Sequence, residues 1–238
     1  MLSDVQNEAD KREVAIRKVG VRDLNYPVTV LDKTNGSQHT VANINMFVDL
    51  PHHYRGTHMS RFVEVLERHT VDLHPQSLEE ILDDIHKSFE CETAHLEIGF
   101  PYFIRKKAPV SGISSLLEYK CHLLAEKGNR LNLILIVEVP VTNLCPCSKE
   151  ISKYGAHSQR GIIRIKVVSK RLIWVEELVQ IAEDSASSPL YTLLKRVDEK
   201  HVTEAAYENP RFVEDAAREA AVRLKNDPRI KSYQVEVE

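Results

Sequence analysis

The sequence predicts an α+β protein of two ββαα-type modules in tandem, split near Gly128. Three observations carry this. Several segments alternate apolar and polar residues with the period of two that marks a strand buried on one face. Paired helical patterns follow paired strand patterns, and the second half of the chain returns to that order without repeating its residues. The expected organisation is a flexible arm over residues 1–14, a first module over 15–128 and a second over 129–238. Each module is expected to be an antiparallel sheet with helices on one face, and its open strand edges favour association with another copy.

The elements follow in order. Val19–Asp32 reads as a strand, and Asn35-Gly36 supplies residues that tolerate the positive φ of a tight hairpin. A second strand places Ala42, Ile44, Met46, Val48 and Leu50 on one face. After a polar loop, Pro51–His58, Ser60 can cap a short helix carrying Phe62, Val63 and Leu66. Ser77 and Glu80 have the spacing of a capping box ahead of a stripe of Leu78, Ile81, Leu82, Ile85 and Phe89. Strand patterning resumes over Ala94–Ile104, turns at Ser111-Gly112 and continues over Leu117–Leu123.

In the second half, Leu131–Val141 is the most apolar strand candidate, and Ile163, Ile165 and Val167 mark its successor after a cysteine-bearing loop. A helix through Val175, Leu178, Val179 and Ala182 comes next, and Ser188-Pro189 has the cap-plus-proline form of another helix start. Asn209-Pro210 has the same form. It precedes a helix with Glu214 and Asp215 at its positive end and Arg218, Arg223 and Lys225 toward its negative end. Asp227-Pro228 stops it, and Tyr233, Val235 and Val237 form a last strand.

Composition narrows the function classes. With 35 acidic and 32 basic residues the net charge is −3, so nucleic acid is not the expected main partner, and any anion must be met by a local patch. The first residues lack the apolar core of a secretory signal, and the longest apolar run, Leu133–Val137, falls far short of the ~20 residues that cross a bilayer. The expectation is a cytoplasmic protein without a membrane partner. Four cysteines are too few for a disulfide scaffold, and a C-x-C pair in a reducing compartment points to a metal or reactive site.

The concentrated chemistry is Leu144-Cys145-Pro146-Cys147-Ser148-Lys149 followed by Gly155-Ala156-His157-Ser158-Gln159-Arg160. Thiolate and neutral imidazole suit zinc and similar ions, and the intervening proline leaves one thiol of the pair to reach an ion. A third, acidic ligand has candidates in Asp198, Glu199, Glu204 and Glu208 near a later loop, with His201 equally fair by type. Glu214 is either a first-turn acid complementing its helix or a carboxylate accepting two N–H bonds from a heterocycle. Lys149, Lys153, Arg160, Arg164, Lys195, Arg196 and Lys200 are singly ordinary surface charges. Together they can form a polyphosphate patch, and Lys149 and Arg160 are its candidate substrate-binding members. His52, His53 and His58 form a second polar cluster suited to hydrogen bonding or proton relay.

Four stretches, Pro140–Lys149, Tyr154–Arg160, Asn209–Asp215 and Arg55–Phe62, resemble the type IB GTP cyclohydrolases, and the likeness runs from about residue 40 to 237. The resemblance implies the tunnelling fold, with two modules per chain and four chains in a homotetramer. It also implies conversion of GTP to 7,8-dihydroneopterin triphosphate and formate, the entry to tetrahydrofolate. By the same resemblance Cys145 and His157 are metal ligands and catalytic residues, Glu199 is the third ligand of zinc, manganese or another divalent ion, and Glu214 anchors the guanine edge. Members of that family usually continue past the last strand into a histidine-bearing tail, whereas this sequence stops at Glu238. Two other readings stay open: an NADPH-dependent nitrile reductase on the same fold, and a non-catalytic purine- or pterin-binding oligomer.

Overall fold

The structure, a computed structural model, describes residue 6, residues 10–69 and residues 72–238; residues 1–5 and 7–9 of the expected arm lie outside the described residues. In chain order the elements are β1 (Ile16–Asp32), β2 (Gly36–Leu50), α1 (Ser60–Arg68), β3 (Asp72–Leu73), α2 (Pro75–Phe89), β4 (Ala94–Lys107), β5 (Ser114–Lys127), β6 (Leu131–Leu144), α3 (Pro146–Ile151), β7 (Ser158–Ser169), α4 (Val175–Ser185), β8 (Ser188–Pro189), α5 (Arg196–Glu208), α6 (Val213–Lys225) and β9 (Ile230–Val237). The chain divides into two compact units, Met1–Phe100 with His122–Ile134, and Pro101–Cys121 with Leu135–Glu238. No helix among the described residues is long and apolar enough to cross a membrane.

In the first unit β1 and β2 form the expected hairpin, closed at the Asp32↔Gly36 pair. Gly36 takes a φ of 83°, which costs a glycine little. The Asp32 carboxylate, 5% exposed, accepts the Thr34 and Asn35 N–H groups at 2.8 and 2.7 Å and the Gln38 side chain at 3.0 Å. The predicted alternation of β2 is observed: Ala42, Ile44, Met46, Val48 and Leu50 are all buried. They share the core with Leu96 and Ile98 of β4, Phe62 of α1 and Leu78, Ile81, Leu82 and Ile85 of α2. Burying each large aliphatic side chain stabilises the fold by about 1.5–3 kcal/mol.

Both helix starts in this unit differ from expectation, the cap of α1 by one residue and that of α2 by three. Ser60 is the first helical residue of α1, and Met59 stands at the cap without a side-chain bond. Helix α2 opens at Pro75, whose fixed φ suits the first helical position, and His74 rather than Ser77 is the cap, its ring facing the Ser77 N–H at 3.3 Å.

In the second unit β6 and β7 are antiparallel from Leu135↔Val167 to Leu144↔Ser158, and β9 pairs with β7. Val137, Val139 and Val141 of β6 and Ile163, Ile165 and Val167 of β7 are buried, as are Leu178, Val179 and Ala182 of α4 and Ala216, Ala220 and Leu224 of α6.

Two helix starts here are corrections. Ser188-Pro189 opens no helix; it is strand β8, paired with Thr142 and Val141 of β6. The helix begins seven residues later, where Asp198 at its third position accepts the Lys195 N–H at 2.9 Å. Asp198, Glu199, Glu204 and Glu208 therefore lie on α5, not in a loop. Likewise α6 starts at Val213, capped by Asp215 accepting the Phe212 N–H at 3.1 Å, while Asn209 is the C-cap of α5.

Candidate active site

Strand β6 brings Cys145 to the site, and the antiparallel ladder sets its partner. One step beyond Leu144↔Ser158, the Cys145 N–H donates to the His157 carbonyl at 3.1 Å. Opposed residues of antiparallel strands stand with Cα atoms about 4.5–5.5 Å apart and project from one face. Cys145 and His157 are thus neighbouring residues by backbone register. The chain between them turns through α3, with Pro146 at its first position, and returns through Gly155 at a φ of 110°.

Ser148 fastens the two ends. Its hydroxyl donates to the Cys145 carbonyl and accepts the His157 N–H, each at 3.1 Å. The Ser148 backbone N–H also lowers the pKa of the Cys145 thiol; burial opposes this, and the Ser148 side chain and Cys147 N–H reinforce it. Cys145 is half-buried, whereas Cys147 is exposed. The other two cysteines behave oppositely, burial pushing the Cys91 thiol up to about 12 and Cys121 higher still. Of these three thiols, Cys145 is the one suited to nucleophilic or metal-binding chemistry.

A hydrogen-bonded knot fixes the residue just before it. The Leu144 N–H donates to Ser187 Oγ at 3.0 Å, and the Leu144 carbonyl accepts the Arg211 N–H at 3.0 Å. Asn209 donates its amide to the Ala186 and Ser187 carbonyls at 3.0 and 3.3 Å and accepts from Arg211 Nε at 3.1 Å. The last residue of β6 and the approach to α6 are thereby tied together. Glu214 follows in the first turn of α6, exposed, with its carboxylate at the positive end of the helix.

Glu199 is exposed in the first turn of α5, and His201 is exposed on the same helix. Its neighbour Asp198 is wholly buried. Burial alone would raise the pKa of that carboxyl; the Ser111 hydroxyl and the Ser111, Lys195 and Val110 N–H groups outweigh it and hold the carboxyl well below the usual range. The lead-in to α5 is pinned as well, by Lys106 Nζ donating to the Leu190 carbonyl at 2.8 Å and Thr192 Oγ1 donating to the Leu116 carbonyl at 2.7 Å. Lys106 also pairs with Glu183 at 2.6 Å, both nearly buried, and Tyr119 donates to the same oxygen at 3.0 Å.

Of the basic residues, Lys149 reaches the Tyr207 carbonyl at 2.6 Å and lies over the Tyr207 ring at 4.2 Å, joining α3 to the end of α5. Arg160 is exposed on β7 opposite Thr142. Arg164 is engaged by Glu138 at 3.0 Å and Glu236 at 2.8 Å, and Lys200 by Glu204 at 2.7 Å. In the first unit the rings of His53 and Tyr54 lie 4.4 Å apart. His58 lines a polar cavity of about 170 Å³ with Asp49, Arg61 and Glu90.

Among the described residues no three His, Cys, Asp or Glu side chains are gathered into a group that could hold a metal. Backbone pairing makes Cys145 and His157, two of the three expected ligands, neighbours and leaves Glu199 on a separate element. In donor chemistry the three fit a divalent ion of zinc type: a thiol whose pKa is lowered, an exposed imidazole and an exposed carboxylate. Sequence reasoning missed Ser187, the bridging role of Ser148, and the part Asp198 plays as a buried carboxylate holding four donors rather than as a candidate ligand. An acid three residues past a polar cap position is the signal that could have found Asp198.

The family of type I GTP cyclohydrolases termed folE2 matches residues 2–238. The chain is 55% identical over 238 residues to the GTP cyclohydrolase FolE2 of Thermosipho africanus, covering 100% of this chain and 92% of that one. It is 52% identical over 236 residues to the GTP cyclohydrolase FolE2 of Kosmotoga olearia, covering 99% and 92%. In fold it is similar to the urate oxidase of Bacillus sp. TB-90, a tunnelling-fold protein, with a TM-score of 0.52 and 12% identity over 93% of this chain and 88% of that one. That likeness concerns fold alone. Sequence agreement at this level from end to end makes the chain a member of the FolE2, or type IB, family of GTP cyclohydrolases.

Proposed function

We propose that this protein is a GTP cyclohydrolase, converting GTP to 7,8-dihydroneopterin triphosphate and formate as the first step of tetrahydrofolate biosynthesis. Its family membership supports the activity. The observation that carries the choice of site is the backbone bond between Cys145 and His157, which makes a residue whose thiol has a lowered pKa the neighbour of a histidine.

In this reading Cys145, His157 and Glu199 hold a divalent ion, zinc, manganese or another. Such an ion supplies Lewis-acid chemistry, drawing the pKa of water toward ~7 in favourable zinc sites. The residues of the chain do the rest. Glu214 accepts paired N–H bonds from the guanine edge and presents the imidazole ring of the base, so that water adds at C8, the ring opens and a second hydrolysis releases formate. Closure of the pterin ring by the rearranged ribose returns one water. Lys149 and Arg160 meet the triphosphate, Lys149 by exchanging the Tyr207 carbonyl for phosphate oxygens. The working form is a cytoplasmic homotetramer joined through sheet edges, with the two modules of each chain divided near Gly128.

The test is GTP turnover by the purified protein, followed by formate release and pterin fluorescence, after chelation and then with zinc or manganese restored. Both products should appear only with metal. If no ion restores either product, the assignment is wrong.

A further inference from the structure

We infer that Asp198 is a positioning residue for the metal site: it locks the first turn of α5 to the turn between β4 and β5, and so sets where Glu199 stands. This rests on the proposed reading of Glu199 as the third ligand and adds to it a residue that touches neither ion nor substrate.

The geometry goes beyond a helix cap. A cap needs only the Lys195 N–H, which Asp198 Oδ2 accepts at 2.9 Å. The remaining donors come from another part of the chain, 87 and 88 residues away: the Val110 and Ser111 N–H groups reach Oδ1 at 2.9 and 2.8 Å, and Ser111 Oγ reaches Oδ2 at 2.6 Å. Each carboxylate oxygen thus accepts two bonds, and the carboxylate is 0% exposed. An asparagine cannot reproduce this, because its amide nitrogen would turn donor hydrogens toward two donors. Glu199 follows Asp198 directly and is exposed in the same turn, its own N–H bonded to the Lys195 carbonyl at 2.9 Å. Since Cys145 and His157 are fixed by their ladder, the freedom left in a three-donor site is that of α5, and Asp198 removes it. Groups that orient ligands without touching the ion change metal affinity by about 10- to 100-fold.

The experiment titrates the chelated full-length chain with Co²⁺, reading affinity and the absorption bands of the bound ion, for wild type, Asp198→Asn, Ser111→Ala, Glu199→Gln and Asp32→Asn. Asp32 is the control, since it is also a buried turn carboxylate holding several N–H groups but lies far from any proposed ligand in sequence. Asp198→Asn should weaken Co²⁺ binding by ~10- to 100-fold while keeping the thiolate-to-metal band of Cys145. Ser111→Ala, which removes one donor of the four, should shift affinity less and in the same direction. It decides the matter if Asp198→Asn does not fold. Asp32→Asn should lower the melting temperature and leave Co²⁺ affinity alone. In turnover, excess metal should restore kcat in Asp198→Asn without a change in KM for GTP. Wild-type Co²⁺ affinity in Asp198→Asn, or in Ser111→Ala where the former is unfolded, overturns the positioning role while a weakened Glu199→Gln keeps Glu199 as ligand. Wild-type affinity in Glu199→Gln overturns the ligand reading itself and the positioning role with it.

Discussion

The donors carried by strands and the acids carried by helices are held in different ways. Cys145 and His157 are neighbours in backbone because they extend the β6–β7 register by one step, and Ser148 bridges the two backbones. Glu199 and Glu214 stand in the first turns of α5 and α6, so their places depend on how each helix is begun: by Asp198 for α5, and by Asp215 with the Asn209–Arg211 knot for α6. A ladder fixes a pair through many cooperating bonds. A helix start is fixed by a few side chains, any of which can be removed singly.

The comparison can be broken first on the helix side, at the support beneath the lead-in to α5. Lys106→Met removes the partner of buried Glu183 and the bond to the Leu190 carbonyl, and should destabilise the fold by about 3–5 kcal/mol in denaturant unfolding. On the strand side, Cys145→Ser should lower GTP turnover by ~10²-fold or more, with the melting temperature close to wild type because the ladder does not need the sulfur. Circular dichroism melts and formate assays on the same preparation separate the two outcomes. Glu214→Ala should cost about 10- to 100-fold in kcat/KM for GTP, as expected for loss of a charged hydrogen bond, without altering metal content measured by atomic absorption.

The smallest effect sharpens the strand side. Because the thiolate is the reactive form and Ser148 holds the Cys145 pKa down, alkylation of Cys145 should rise at lower pH than for an ordinary thiol. Ser148→Ala raises that pKa, so the rate profile should move to higher pH. Cys91, whose thiol is pushed up to about 12, should stay unmodified in the folded protein between about pH 7 and 9. Mass spectrometry of peptides after brief iodoacetamide exposure reads both sites.

Legibility in the sequence follows the same division. Strands announced themselves because burial of one face imposes a period of two: the alternation of β2 and β7 could be read residue by residue. The C-x-C and histidine stretches were visible as chemistry, and their pairing followed from consecutive strands. Helix starts were harder. Ser188-Pro189 has the residues of a helix start, yet the register of β6 recruits it as β8, a long-range preference that local pattern does not contain. The misplaced start hid Asp198, which then resembled any surface acid. Ser187 was equally invisible, since a serine that receives the Leu144 N–H looks like one that meets water.

The ladder bond between Cys145 and His157 also uncouples the site from part of the connection that spans it. Spacing between the two backbones is set by that bond and by the Ser148 bridge, so Tyr154, exposed at the outer part of the connection, can be exchanged for a reporter group without changing it. A fluorophore placed there would sit beside the reacting centre without setting its dimensions.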